Sequence, residues 1–199
     1  MTAPSARSET FRRADSLLAW FDGADERGYI GEPVSQLEHA LQCAAAADAA
    51  RASEEVVLAA LFHDVGHLAA GGAPEMDGLG VVDHEGIGAR LLHEAGCSPG
   101  VADLVENHVA AKRYLCFRDA RYREKLSEAS RKTLAFQGGA MNEEEARRFE
   151  AKPNLKEILA VRAWDEQAKD PAARPPGLAC YRERLLVHLE AQRQEPSTC

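Results

Sequence analysis

The 199-residue chain is 45% hydrophobic and 28% charged, the balance of a globular protein large enough to enclose one core. Its formal net charge is −8 and it has no lysine- or arginine-rich run, which argues against a nucleic-acid partner. No apolar stretch is long enough to span a bilayer and the N-terminus lacks a signal-peptide core, so a cytoplasmic protein with no membrane role is expected.

Nearly every segment reads as helix. Residues 6–22 carry apolar positions at a helical period, and residues 28–33 (GYIGEP) break the chain with two glycines and a proline. Ser35, with Glu38 three residues on, is a capping-box pattern that starts an alanine-rich helix over 36–50. Ser53 is expected to cap EEVVLAALFHD, apolar enough to be buried on most sides. Glycines loosen residues 69–80. Asp83 then caps a helix to Ala95 that Gly96 ends, and Ser98-Pro99 starts the next. Helices follow over 119–135, after Asn142, after Asn154 and over 178–192. No alternating strand pattern competes. The expected class is all-α, a compact helical bundle forming one domain over residues 1–199.

The five cysteines, Cys43, Cys97, Cys116, Cys180 and Cys199, are odd in number and have no CxxC spacing, which points to reduced thiols. Cys43, four residues after His39, reads as a buried thiol rather than a metal ligand.

Five of the seven histidines and two aspartates form an ordered series: His39, His63-Asp64 with His67, His84, His108 and Asp165. Four imidazoles and two carboxylates, spread over five helices, are a donor set for a pair of divalent or trivalent metals inside a bundle. In the adjacent His-Asp pair, the carboxylate can bridge two metals while the imidazole is terminal on one. A lone buried histidine is usually a hydrogen-bonded core residue, and that reading suits His93 and His188. Without metal, burying the whole series would be very costly.

Helical spacing adds a second pattern. His67 lies four residues after His63, Lys112 four after His108 and Arg162 three before Asp165, so each shares a face with a ligand. Cations converging on a metal pair would cradle a tetrahedral oxyanion. Ser130, Thr133 and Gln137 are nearby neutral donors in sequence. Tyr29 and Glu32 precede the first ligand: a phenolate suits ferric iron and a carboxylate suits a cation. On spacing alone, a packed tyrosine and an exposed glutamate remain the plainer alternatives.

The pattern H…HD…H…H…D resembles the HD-domain superfamily, whose members are mostly phosphohydrolases with a minority of diiron oxygenases. The blocks YIGE, SQLEHALQCA, LAALFHDVGH, HVAAKRYL and VRAWDE, spread over residues 28–168, are similar to those of the HD-domain mixed-valent diiron oxygenases that cleave organophosphonates. This resemblance implies two iron ions, Fe(II)/Fe(III). His39, His63 and Asp165 would hold one, His84 and His108 the other, with Asp64 between. It further implies that His67, Lys112, Ser130, Thr133 and Arg162 hold the phosphonate. Tyr29 would occupy the open iron position at rest, and Glu32 would receive the substrate's ammonium group. The implied reaction consumes dioxygen, breaks the C–P bond of a 1-hydroxy-2-(amino or trimethylammonio)ethylphosphonate, and releases phosphate with glycine or glycine betaine.

The implied partners are thus a small zwitterionic phosphonate and dioxygen, with the chain a monomer or weak homodimer. The glycine-rich loop at 69–82 departs from the family pattern and leaves the nitrogen substituents open. The alternative function is an HD-type phosphohydrolase using metal-bound hydroxide; a non-catalytic metal-binding sensor would have no use for so complete a ligand set.

Overall fold

The computed structural model describes residues 6–24, 26–29, 31–69 and 71–194; the fifth cysteine, Cys199, lies outside them. Helix α1 (Ala6–Leu18) runs into a 3-10 turn at Ala19–Phe21. It is followed by α2 (Gln36–Ala49), α3 (Glu54–Phe62), α4 (Val65–Ala69), α5 (His84–Glu94) and α6 (Pro99–Arg118). Then come α7 (Ala120–Lys125), α8 (Glu128–Phe136), α9 (Glu143–Glu150), α10 (Leu155–Gln167) and α11 (Ala179–Gln194). Among the described residues only two isolated β-bridges, Gly28 with Ser35 and Glu75 with Val81, interrupt this all-α architecture. Among the described residues no helix is long and apolar enough to cross a membrane.

Helix α3 is the axis of the fold. Every residue from Val56 to Phe62 is buried, and α2, α6 and α10 pack around it. A glycine allows the next layer to close. A Cβ on Gly66 would lie 2.0 Å from the His84 carbonyl oxygen, so α4 and α5 meet backbone to backbone only because that side chain is absent. Helices α1 and α11 pack on each other, and α11 packs on α3.

Several helix starts follow local rules. Ser35 Oγ accepts from Glu38 N–H (3.1 Å) while Glu38 Oε2 accepts from Ser35 N–H (2.8 Å). Ser98 and Asn142 also cap through their side chains. Others do not. Asp83 takes a left-handed backbone (φ 58°) and makes no cap bond, its carboxylate instead lying over Gly86. Ser53 makes none either, and Asn154 Nδ2 donates to Asp103 Oδ2 (2.8 Å), a tertiary partner that outcompetes the local one. The expected helix over 119–135 is broken: buried Leu126 is extended and Ser127 caps a fresh helix, α8. The helix expected to end in His63-Asp64 stops at Phe62, and these two residues form the joint with α4, which runs through Gly66 unbroken.

Candidate metal centre and adjoining pocket

The joint between α3 and α4 places Asp64 where two groups of ligand atoms meet. His39, His63 and Asp165 form one group, and His84, His108 and Asp64 the other, each with ligand atoms within 4.8 Å of one another. Asp64 adjoins both. Its Oδ2 lies 3.4 Å from His63 Nε2 and 3.7 Å from His39 Nε2, and its Oδ1 lies 3.3 Å from His84 Nε2 and 3.4 Å from His108 Nε2. Asp165 Oδ1 completes the first group at 3.3 Å from His39 Nε2.

The backbone sets the tautomers. The Nδ1 atoms of His39, His63 and His108 lie 2.9, 2.8 and 2.7 Å from the carbonyl oxygens of Ala168, Ala60 and Val105. A carbonyl only accepts, so each Nδ1 carries the proton and each Nε2 offers a lone pair. His39 Nε2 is then 3.0 Å from His63 Nε2, and His84 Nε2 is 3.1 Å from His108 Nε2. Lone pairs that close repel unless a proton or a metal ion lies between them. Neighbouring nitrogens on a metal with bonds of about 2.1 Å stand roughly 3 Å apart, so the donor set fits a pair of metal ions. His84 differs from the other three: its Nδ1 faces Glu85 Oε2 at 3.3 Å, and both atoms are buried without another partner. Cys43 is buried and its thiol is pushed up by that burial, as suits a core residue.

A pocket opens beside this centre. It is lined by Tyr29, Glu32, Asp64, His67, His84, His108, Lys112, Ser130, Thr133, Gln137, Arg162 and Asp165. His67, Lys112 and Arg162, singled out from helical spacing, therefore face one cavity, and five residues not named from the sequence also line it: Met76, Leu79, Val109, Ala129 and Lys169.

Cationic and neutral donors gather in its lining. Arg162 is buried, ion-paired to Asp165, and donates from Nε to Tyr122 Oη (3.1 Å) and Glu166 Oε1 (2.9 Å). Its Nη2 stands 2.8 Å from Glu166 Oε1 at an angle that makes no hydrogen bond, leaving buried donors unsatisfied. Lys112, also buried, donates to Thr133 Oγ1 (3.0 Å); burial and the neighbouring Arg162 lower its pKa to about 8. His67 Nδ1 accepts from Val81 N–H (2.9 Å) and its ring stacks on His84 at 3.8 Å. Burial and then His84 depress its pKa to about 3, so its Nε2–H is a neutral donor. Gln137 Oε1 is buried and unpartnered.

Tyr29 and Glu32 line the same pocket from a turn closed by the Gly28–Ser35 bridge. Tyr29 stacks on His39 with ring centroids 3.8 Å apart. Burial, then Asp64 and Asp165, hold its phenol well above the ordinary pKa, so ionisation there requires added positive charge. Glu32, expected to stand free for a cation, is already paired: Lys169 Nζ lies 2.6 Å from its Oε1. Lys169 comes four residues after Asp165, the same interval that singled out Lys112 after His108, yet it lies just beyond the end of α10. The 69–82 loop, whose neighbours the sequence left open, contributes Met76 and Leu79 as apolar wall.

The HD-domain family matches residues 36–166. The chain is 45% identical over 150 residues to the glycine-betaine-forming [1-hydroxy-2-(trimethylamino)ethyl]phosphonate dioxygenase of Leisingera caerulea, covering 75% of this chain and 76% of that protein. It is 36% identical over 166 residues to hydroxymethylphosphonate dioxygenase of Gimesia maris, covering 82% of each. The matched family, these two relatives and the doubled His/Asp cluster agree: the chain belongs to the HD-domain phosphonate dioxygenases.

Proposed function

We propose that this protein cleaves the C–P bond of 1-hydroxy-2-(trimethylammonio)ethylphosphonate with dioxygen, giving phosphate and glycine betaine. The observation that carries the reading is the set of charges on one cavity: Lys112 and an Arg162 Nη2 without a hydrogen-bond partner, the Glu32 carboxylate paired to Lys169, and the ligand groups joined by Asp64. A zwitterionic phosphonate matches that set of charges. The trimethylated nitrogen is supported by the Leisingera relative's substrate and by Met76 and Leu79, apolar surface suited to methyl groups.

Two iron ions in the mixed-valent Fe(II)/Fe(III) state would supply dioxygen activation and Lewis acidity when held by His39, His63 and Asp165 on one side and His84 and His108 on the other, with Asp64 shared. The protein's own groups do the rest. Arg162 Nη2 and Lys112 Nζ hold phosphonate oxygens, and Thr133 fixes the lysine's direction. Ser130 and the His67 Nε2–H add neutral donors. Held this way, the C1 hydroxyl points toward the ligand groups. Tyr29, stacked on His39, keeps solvent from that position until substrate displaces it, and Glu32 receives the cationic nitrogen. One dioxygen is consumed for each phosphate released: the hydroxylated carbon becomes the carboxylate and phosphorus leaves as phosphate, so the equation balances without an external reductant.

The test is to purify the protein without air, measure iron, and add this phosphonate with dioxygen. Oxygen uptake equal to phosphate release is expected. Release of phosphate from phosphomonoesters without oxygen uptake would sink the reading in favour of an HD-type hydrolase.

A further inference from the structure

The partner of Glu32 has a consequence for substrate choice. Lys169 Nζ sits 2.6 Å from Glu32 Oε1 and 5.9 Å from the centroid of the Tyr29 ring, and the two side chains are only 18% and 12% exposed. A carboxylate on one side and an aromatic face on the other are the surroundings that a ligand's quaternary or primary ammonium group seeks.

The lysine's backbone is tied down. Gln42 Nε2 donates to the Asp170 carbonyl (3.0 Å) and Gln42 Oε1 accepts from Asp170 N–H (3.1 Å). The Ala168 carbonyl is held by His39 Nδ1 at 2.9 Å. Residues 168–170 are thus fastened to α2 on both sides of Lys169. Glu32 instead rides a short turn, with its N–H on the Tyr29 carbonyl (2.9 Å), Tyr29 N–H on the Val34 carbonyl (2.8 Å) and Gly31 left-handed at φ 69°. The turn carrying Tyr29 and Glu32 closes against a fixed cation.

We propose that Lys169 is a specificity-determining residue: in the substrate-free enzyme its ammonium occupies the position that the substrate's cationic nitrogen takes against Glu32. This rests on the function proposed above. A phosphonate with a cationic tail must displace Lys169 from Glu32, and in doing so it releases the turn that carries Tyr29. A phosphonate with a neutral tail leaves the ion pair in place. Lys169 therefore sets how strongly the pocket prefers a cationic tail over a neutral one.

The test titrates metal-loaded wild type, Lys169→Met and Lys169→Arg by calorimetry under nitrogen, using two probes. One is 1-hydroxy-2-(trimethylammonio)ethylphosphonate and the other hydroxymethylphosphonate. The long-range attraction of Lys169 for a phosphonate acts on both, so the ratio of the two Kd values isolates competition for Glu32. Lys169→Met is expected to shift that ratio toward the cationic probe by about tenfold, and Lys169→Arg to hold it within about twofold. An unchanged ratio, or a shift toward the neutral probe, overturns the inference. If wild type binds neither probe, the proposed substrate class is wrong, and hydrogen exchange at residues 28–35 decides the Lys169 contact alone. Faster exchange in Lys169→Met but not in Lys169→Arg supports the latch, and equal exchange in all three rejects it.

Discussion

Asp64 turns one carboxylate oxygen to His63 and the other to His84, with Oδ2 and Oδ1 at 3.4 and 3.3 Å from the respective Nε2 atoms. From the break between α3 and α4 it adjoins both ligand groups. The Asp64→Ala protein is therefore expected to lose both metals and His84→Ala chiefly one. Metal analysis after gel filtration checks this. Activity should fall by at least about 100-fold in each. An Asp64→Ala protein that kept two metals per chain would remove the bridging role.

Metal should also stabilise the fold, since these ligands are assembled only in the folded state. Loading with Fe(II) is expected to raise Tm and a chelator to reverse the rise, by roughly 4 kcal/mol if free metal is about 1,000 times Kd. Thermal melts with and without chelator measure it.

Arg162 divides its guanidinium between Asp165, Glu166 and Tyr122, with Nη2 left for the pocket. Lysine keeps the charge but not the planar fork. Arg162→Lys is expected to raise KM for the phosphonate about tenfold or more, near 1.4 kcal/mol, with a smaller effect on kcat. Steady-state oxygen uptake at varied substrate decides this, and an unaltered KM would move the anion site elsewhere.

Gly66 tolerates no side chain, because a Cβ there would meet the His84 backbone at 2.0 Å. Gly66→Ala should cost about 3 kcal/mol and separate α4 from α5. Since His84 moves with α5, metal content should fall as well. Denaturant unfolding of the metal-free chain measures the first effect, and a change below about 0.5 kcal/mol would contradict the packing.

His188 links α11 to the start of α6: its Nε2 accepts from Ser98 N–H at 3.0 Å. Burial lowers its pKa below the usual histidine value, against a smaller opposing effect of Glu55 and Glu54. The unfolded chain therefore binds the proton more readily. The stability this contributes is present above about pH 6.5 and is lost as the pH falls from there through the folded-state pKa. Urea melts of wild type and His188→Ala from about pH 7.5 to 5 should show the wild type losing more stability on acidification. Parallel curves would show that His188 does not titrate on unfolding.

Much of the helical order is legible in residue pattern. The Ser35/Glu38 pair, Ser98-Pro99 and Asn142 start helices where their local chemistry says they should. The pattern misled where a distant partner intervened. Asn154 is drawn to Asp103, and Leu126, buried between two helical segments, splits a stretch that reads as continuous. The candidate ligands stand out because so many imidazoles and carboxylates on apolar helices make sense only together. Lys169 did not stand out: its partner Glu32 is 137 residues away in sequence.

The chain's sequence by itself determined the all-α class, the donor types that could hold two metals and the cations one turn away from them, because helical periodicity and capping are short-range properties. Only the tertiary structure decided which oxygen of Asp64 faces which imidazole, that three backbone carbonyls set the histidine tautomers, and that Glu32 is already held by a lysine. Those depend on atoms brought together by the packing around α3, where a missing Cβ at Gly66 and a carbonyl at Ala168 matter as much as any ligand.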